Sequence, residues 1–325
     1  VSDWSSDVCS SDLRAATWTE SFDTDPRERG WKVHGDASLF SWDPERKAMH
    51  VTWDSSLTNS FLHLPLGTIL SRADSFRFAF TLRLEQVASS GPGSFQLALG
   101  LIHRASAFSP TAFRGSGVNP AYGIRNVVEF DYFPETPSIA ATVSAVAVNT
   151  NNLGWSMVNL FPQPLEPGQS YRIQVGHDRD TRTLSLTVTQ EGAAVASGNS
   201  VLRQQFGDFR VDAFSITSYS GEHQPTAPAD YRGAIQAQGW VDDLRLEFPD
   251  PPQLPLTLLR DGPGLSLRVG RAAGWTPRLE VLTPAEETGW HGIDVEPQEA
   301  ETHWRFGLPS ATSAAALFRV EWRKP

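Results

Sequence analysis

A chain of 325 residues is long enough for about two domains, and 11 Trp, 18 Phe, 23 Pro and 25 Gly set among short alternating runs predict an all-β protein. Acidic residues outnumber basic ones by 37 to 27 with no basic run, which argues against nucleic acid and anionic membrane as partners. No apolar run approaches the roughly 20 residues of a membrane-spanning helix.

Asp3 to Leu13 resembles a translated sequencing adapter and not a cleavable signal, because it lacks a basic start and an apolar middle. Residues 1–13 are therefore set outside the fold, and a signal peptide is expected to have been lost upstream, from a protein that is secreted or on the cell surface. Without Asp3, Asp7 and Asp12, 34 acidic residues face 27 basic ones, a net charge of −7. The one cysteine, Cys9, lies in the same segment, so the remaining chain is expected to use neither disulfide nor thiolate chemistry.

From Trp18 the chain reads as strands between turns. Trp18–Phe22 opens it, and Asp23 to Pro26 supplies turn chemistry. Met49–Trp53 alternates, and Phe76 to Glu85 alternates most clearly, with Phe76, Phe78, Phe80, Leu82 and Leu84 on one face and Arg77, Thr81, Arg83 and Glu85 on the other. Phe95, Leu97, Leu99 and Leu101 repeat the pattern. Residues 103–125 form a long polar connection, of a length that is more often functional than structural. His103 opens it and is the one histidine of eight that merits attention, since none of them shows a short metal-ligand spacing.

Val127 to Glu135 is the one apolar strand pattern with acidic side chains inside it. Alternation puts Glu129, Asp131, Phe133 and Glu135 on one face and Val128, Phe130 and Tyr132 on the other. Carboxylates two residues apart on one face repel unless a cation, an Arg or a sugar hydroxyl lies between them. Ile139–Val148 follows, then the polar run Asn149 to Asn152. Tyr171 to Thr189 reads as a hairpin turning near Arg179 and Asp180, and Phe209–Tyr219 and Gly239–Phe248 supply two more strands. Pro249 to Pro255 is a proline-dense spacer, which bounds a first domain at 14–248, a linker at 249–255 and a second domain at 256–325. In that second domain, short strands at Leu256–Leu259, Leu265–Val269, Arg278–Leu282, Trp304–Phe306 and Leu317–Trp322 predict a small sandwich with Trp275, Trp290, Trp304 and Trp322 in its core.

The strand at Val128–Phe133, the hairpin from Tyr171 to Thr189 and the closing Gly239 to Leu246, taken in order, resemble the concanavalin A-like lectin/glucanase superfamily. The resemblance implies a two-sheet antiparallel jelly-roll sandwich. The tail is similar to the small Ig- or fibronectin-like modules of bacterial surface proteins. Two members of the superfamily use such an acidic strand. Laminarinase-type glycoside hydrolases carry a Glu two or three residues beyond the Asp, where this chain has Phe133 and Pro134. Glu129 and Glu135, if extended, are about 20 Å apart, against about 5 Å for retaining catalysis. Legume-type lectins place a transition metal and calcium on their Glu-x-Asp strand, which implies calcium here on Glu129, Asp131, the Phe133 carbonyl and Glu135, near Asn149, Asn151 or Asn152. The lectins' later Asp and His have no counterpart in Ser138 to Val148.

Three functions follow as alternatives. The first is a non-catalytic, secreted or surface glycan- or ligand-binding module, calcium-assisted, in which Glu129, Asp131 and Asn151 contact ligand while Trp155 and Tyr122 offer aromatic rings to a sugar. The second is a polysaccharide hydrolase using Glu129, Asp131 and Glu135, and the third a structural adhesion scaffold. If the acidic pair lines an open groove with aromatic walls, binding gains; if it is buried against Arg, structure gains.

Overall fold

The computed structural model describes residues 15–89, 96–110, 112, 123–136, 140–151, 154–220, 235–249, 256–261, 264–270, 276–282, 291–292, 295–299, 303–308 and 317–323. Strands β1 (Ala15–Glu20), β2 (Lys32–His34), β3 (Phe40–Asp43), β4 (Ala48–Asp54), β5 (Ser60–Ser71), β6 (Phe76–Ser89) and β7 (Leu97–Ile102) precede a four-residue helix, α1 (Arg104–Ala107). After it come β8 (Val127–Phe133), β9 (Thr142–Val148), β10 (Trp155–Leu160), β11 (Ser170–Asp178), β12 (Thr183–Gln190), β13 (Ala193–Val201), β14 (Arg210–Ser218) and β15 (Ile235–Pro249).

These strands form two antiparallel sheets. One runs β13-β12-β11-β6-β15-β4-β3, with β1 also paired to β15; the other runs β10-β9-β8-β7-β14-β5-β2. Alternation decides which side chains meet between them. Phe78 and Phe80 of β6 stand edge-on to Phe214 of β14 and Phe130 of β8 at 5.6 and 5.7 Å, so the Phe130 side of β8 is the core side. Trp31 and Trp53 are fully buried in the same core, as expected of most tryptophans in a sandwich, whereas Trp18 and Trp42 are half-buried at its margin.

The fold departs from the sequence reading in the strands that do not alternate. All six residues of β7 are buried, and all of β8 is buried except the half-buried Phe133, where one wet face was expected. The start of the long connection after β7 covers the outer face on the β5 and β2 side of this sheet. It forms α1, Phe108 stacks on His34 at 4.1 Å, and Ala112 accepts a 2.6 Å hydrogen bond from Asn59 Nδ2. At Gly100 the fit is tight enough to require glycine. A Cβ there would stand 2.4 Å from Glu129 Cα and 2.5 Å from the Val128 carbonyl, both backbone atoms of β8.

Beyond the proline-dense spacer, β16 (Leu256–Asp261), β17 (Gly264–Gly270), β18 (Thr276–Leu282), β19 (His291–Gly292), β20 (Gln298–Glu299), β21 (His303–Gly307) and β22 (Leu317–Arg323) build two small sheets, β16-β17-β21-β20 and β19-β18-β22. Their core is Leu267, Val269, Leu279 and Phe306, with Trp304 packed against its flank. Of the four tryptophans expected in this core, Trp304 packs against it, while Trp275, Trp290 and the Trp322 side chain lie outside the described residues. Among the described residues no helix is long and apolar enough to cross a membrane.

Candidate functional site

Because Phe130 points into the core, Glu129 and Asp131 point away from the partner sheet, as alternation dictates. Register places Glu129 opposite Gly100 and Val146, and Asp131 opposite Ala98 and Ser144. The same outer face continues through Met157 and Asn159 on β10, Ser215 and Thr217 on β14 and His63 on β5. It is a polar layer with its own internal hydrogen bonds: Ser144 Oγ donates to Asn159 Oδ1 at 2.6 Å, and the Ser215 and Thr217 hydroxyls are 2.9 Å apart.

The acidic pair does not stand on an open groove wall. Glu129 is 1 % and Asp131 0 % exposed, and the buried Tyr219 hydroxyl donates to Glu129 Oε2 at 2.7 Å. Glu20 is a second carboxylate held in this way, accepting from the Phe22 N–H, the Trp31 indole N–H and Arg29. A buried carboxylate survives only when donors replace its hydration, so burial with partners marks both as parts of the scaffold.

The remaining candidates separate. Phe133 is half-buried at the end of β8, Glu135 is exposed two residues further on, and Asn151 is exposed in the turn between β9 and β10. Tyr122 lies outside the described residues. His103 starts α1, where its Nδ1 lies 3.1 Å from Ser106 Oγ and its N–H donates to the Asn126 carbonyl. Calcium needs six to eight oxygens converging on one point. Among the described residues Glu129 and Asp131 are buried and Glu135 is exposed, and no group of three or more His, Cys, Asp or Glu stands together.

Trp155 is the aromatic candidate that the fold leaves open among the described residues. It begins β10, the edge strand of its sheet, and is 55 % exposed. It lines a hollow of about 520 Å³ with Met157, Ser200, Arg203, Gln205 and Phe206. The wall is fixed from below by buried Asn149, whose Nδ2 donates to the Phe206 carbonyl at 2.7 Å and whose Oδ1 accepts from the Gly154 N–H at 3.2 Å. One amide thus ties the turn carrying Trp155 to the segment carrying Arg203 and Gln205. The polar run at Asn149 pointed to this turn, but nothing in the sequence tied it to residues fifty positions later.

No protein-family model matches the chain, and no curated protein matches it either. Among solved structures, peanut lectin with a nine-residue peptide is similar over 73 % of this chain and all of its own, at 15 % identity and a TM-score of 0.45. The Lotus tetragonolobus seed lectin is similar over 74 % of this chain and all of its own (14 % identity, TM-score 0.46). An endo-β-1,4-glucuronan lyase from the fungus Trichoderma reesei is similar over 72 % of this chain and 99 % of its own (14 % identity, TM-score 0.40). What the chain itself shows is a two-sheet antiparallel β-sandwich from Ala15 to Pro249.

Proposed function

We propose that the protein is a non-catalytic carbohydrate-binding module that works outside the cell and holds a sugar ring against Trp155. The observation that carries this reading is the Trp155 hollow. A large indole face is left exposed beside hydroxyl, amide and guanidinium groups that match sugar hydroxyls. Apolar walls with a few placed polar groups are the usual make-up of a small-ligand site, and an aromatic face suits the C–H side of a pyranose. The small pair of sheets after Leu256 suits a module displayed on a surface.

Burial of Glu129 and Asp131 supports a structural role for the acidic strand within the same reading, so catalysis is not assigned to it. Titration calorimetry against a panel of neutral and acidic oligosaccharides tests the proposal. Trp155→Ala is expected to weaken binding at least about tenfold, the loss typical of a central aromatic contact, with unchanged thermal stability because the ring is mostly in solvent. Chelator is expected to leave binding unchanged. Undiminished binding by the Trp155→Ala protein would remove the hollow from the site.

A further inference from the structure

A second hollow, of about 700 Å³, opens at one end of the sandwich among three turns that are far apart in sequence. Its lining carries four arginines, Arg72, Arg179, Arg182 and Arg210, against two carboxylates, Asp180 and Asp208. That is a local excess of positive charge on a chain whose net charge is −10.

The floor is rigid. Arg72 donates its backbone N–H to Asp208 Oδ1 at 3.1 Å and its Nη1 to the Gly207 carbonyl at 2.7 Å, which joins the β5–β6 turn to the segment before β14. The Arg179 N–H donates to Ser75 Oγ at 3.1 Å, which fixes the β11–β12 turn beside it. The rim is held loosely. Arg179 meets Asp180 at 3.2 Å and Arg210 meets Asp208 at 3.6 Å, and in both pairs each side chain is about half exposed or more. Pairs this exposed contribute little and exchange readily for a better anion.

Arg182 differs from the rest. Among the described residues its guanidinium makes no hydrogen bond or ion pair, and its backbone sits at φ +55, in the left-handed region that favours Gly or Asn. Its carbonyl still accepts from the Leu202 N–H at 2.8 Å, so the strained turn is part of the fold. A bulky cation kept at a position where glycine costs less is a mark of function more than of stability.

The two hollows flank one short segment. Arg203, Gln205 and Phe206 line the Trp155 hollow, while Gln204, Gly207 and Asp208 line the arginine one. We infer that the arginine hollow is a subsite for the carboxylate or sulfate groups of an acidic glycan whose neighbouring sugar lies on Trp155. Planar guanidinium groups match both oxyanions through paired N–H donors, and three rim arginines from two turns suit a chain of repeated charges better than one small ion. The inference rests on the carbohydrate reading above.

Calorimetry with three oligosaccharide series, uncharged, uronate-bearing and sulfated, and with inorganic sulfate alone, tests it. At least one acidic series is expected to bind ten times or more tighter than the uncharged one, and which series does so identifies the anion. The preference is expected to fade as salt is raised and to vanish in Arg182→Gly/Arg210→Gln, while Arg182→Gly alone keeps or raises the melting temperature. If charged and uncharged glycans bind alike, and the arginine variants change nothing while Trp155→Ala abolishes both, the subsite is overturned and the sugar site stands. If no glycan binds, both fall. If inorganic sulfate binds as tightly as the acidic glycan, the hollow is a simple anion site and the glycan assignment is overturned.

Discussion

Replacing Glu129 by alanine is expected to lower the free energy of unfolding by about 3 kcal/mol and to leave glycan affinity of the folded protein unchanged. The carboxylate is buried and accepts from Tyr219 Oη at 2.7 Å, and Tyr219 is buried too. Alanine removes the carboxylate acceptor of that phenol, a loss of about 1–3 kcal/mol, and leaves a space that Gly100, with no side chain, cannot fill. Glu129→Gln keeps an acceptor of the same shape and is expected to cost less. Tyr219→Phe removes only the donor, and a double-mutant cycle between the two positions isolates their coupling. Denaturant unfolding reads all three. An alanine variant as stable as the parent that has lost glycan binding would return the acidic strand to the binding site.

That experiment separates the chemistry of a residue from its placement, and the two were not equally legible in the sequence. The strands β6, β11 and β12 could be read because each alternates apolar with polar over eight residues or more, the mark of one buried face. β5 was missed because Pro65 and Gly67 interrupt a stretch that is buried on both faces at its start; the register shift between Val211 and Ala213 of β14 absorbs the irregularity. β10 and β13 were missed because they are edge strands in which Val158 is the one buried residue, so there is no buried hydrophobic period to detect.

The candidate site was legible only where one residue carries the signal alone. Trp155 stood out as an aromatic next to an Asn-rich turn, and the fold leaves it open. Glu129 and Asp131 stood out as acids in an apolar strand, yet their burial goes with contacts from distant chain, such as Tyr219 on Glu129, which strand periodicity does not report. The arginine hollow left no local trace, because its residues come from three turns between positions 69 and 210 and meet only through the sheet order.

Acid should destabilise the protein through two buried histidines. His63 on β5 is 5 % exposed, and burial, helped by the nearby positive charge of Arg104 and more weakly by His34 and Lys32, holds its pKa down to about 4; a backbone hydrogen bond with Phe61 opposes the shift. Phe108 stands edge-on to its ring at 4.9 Å and helps to exclude water. His177, packed against Phe76 and Phe209, is shifted downward by burial as well. The sign follows from linkage. Above about pH 6.5 His63 is neutral folded or unfolded and costs nothing. Between 6.5 and 4 the unfolded chain takes up a proton that the folded chain refuses, so stability falls as pH falls, at about 1.4 kcal/mol per pH unit and by about 3 kcal/mol in all for His63. Below pH 4 both states are protonated and this loss stops. Asp25, Asp36, Asp43 and Asp178 have pKa values below their ordinary range, so the stability they contribute is lost only at lower pH still. Melting temperature measured from pH 7.5 to 4.5 is expected to fall steeply in the parent, less in His63→Gln, and least in His63→Gln/His177→Gln. Parallel slopes in all three proteins would show that neither imidazole is kept neutral by the fold.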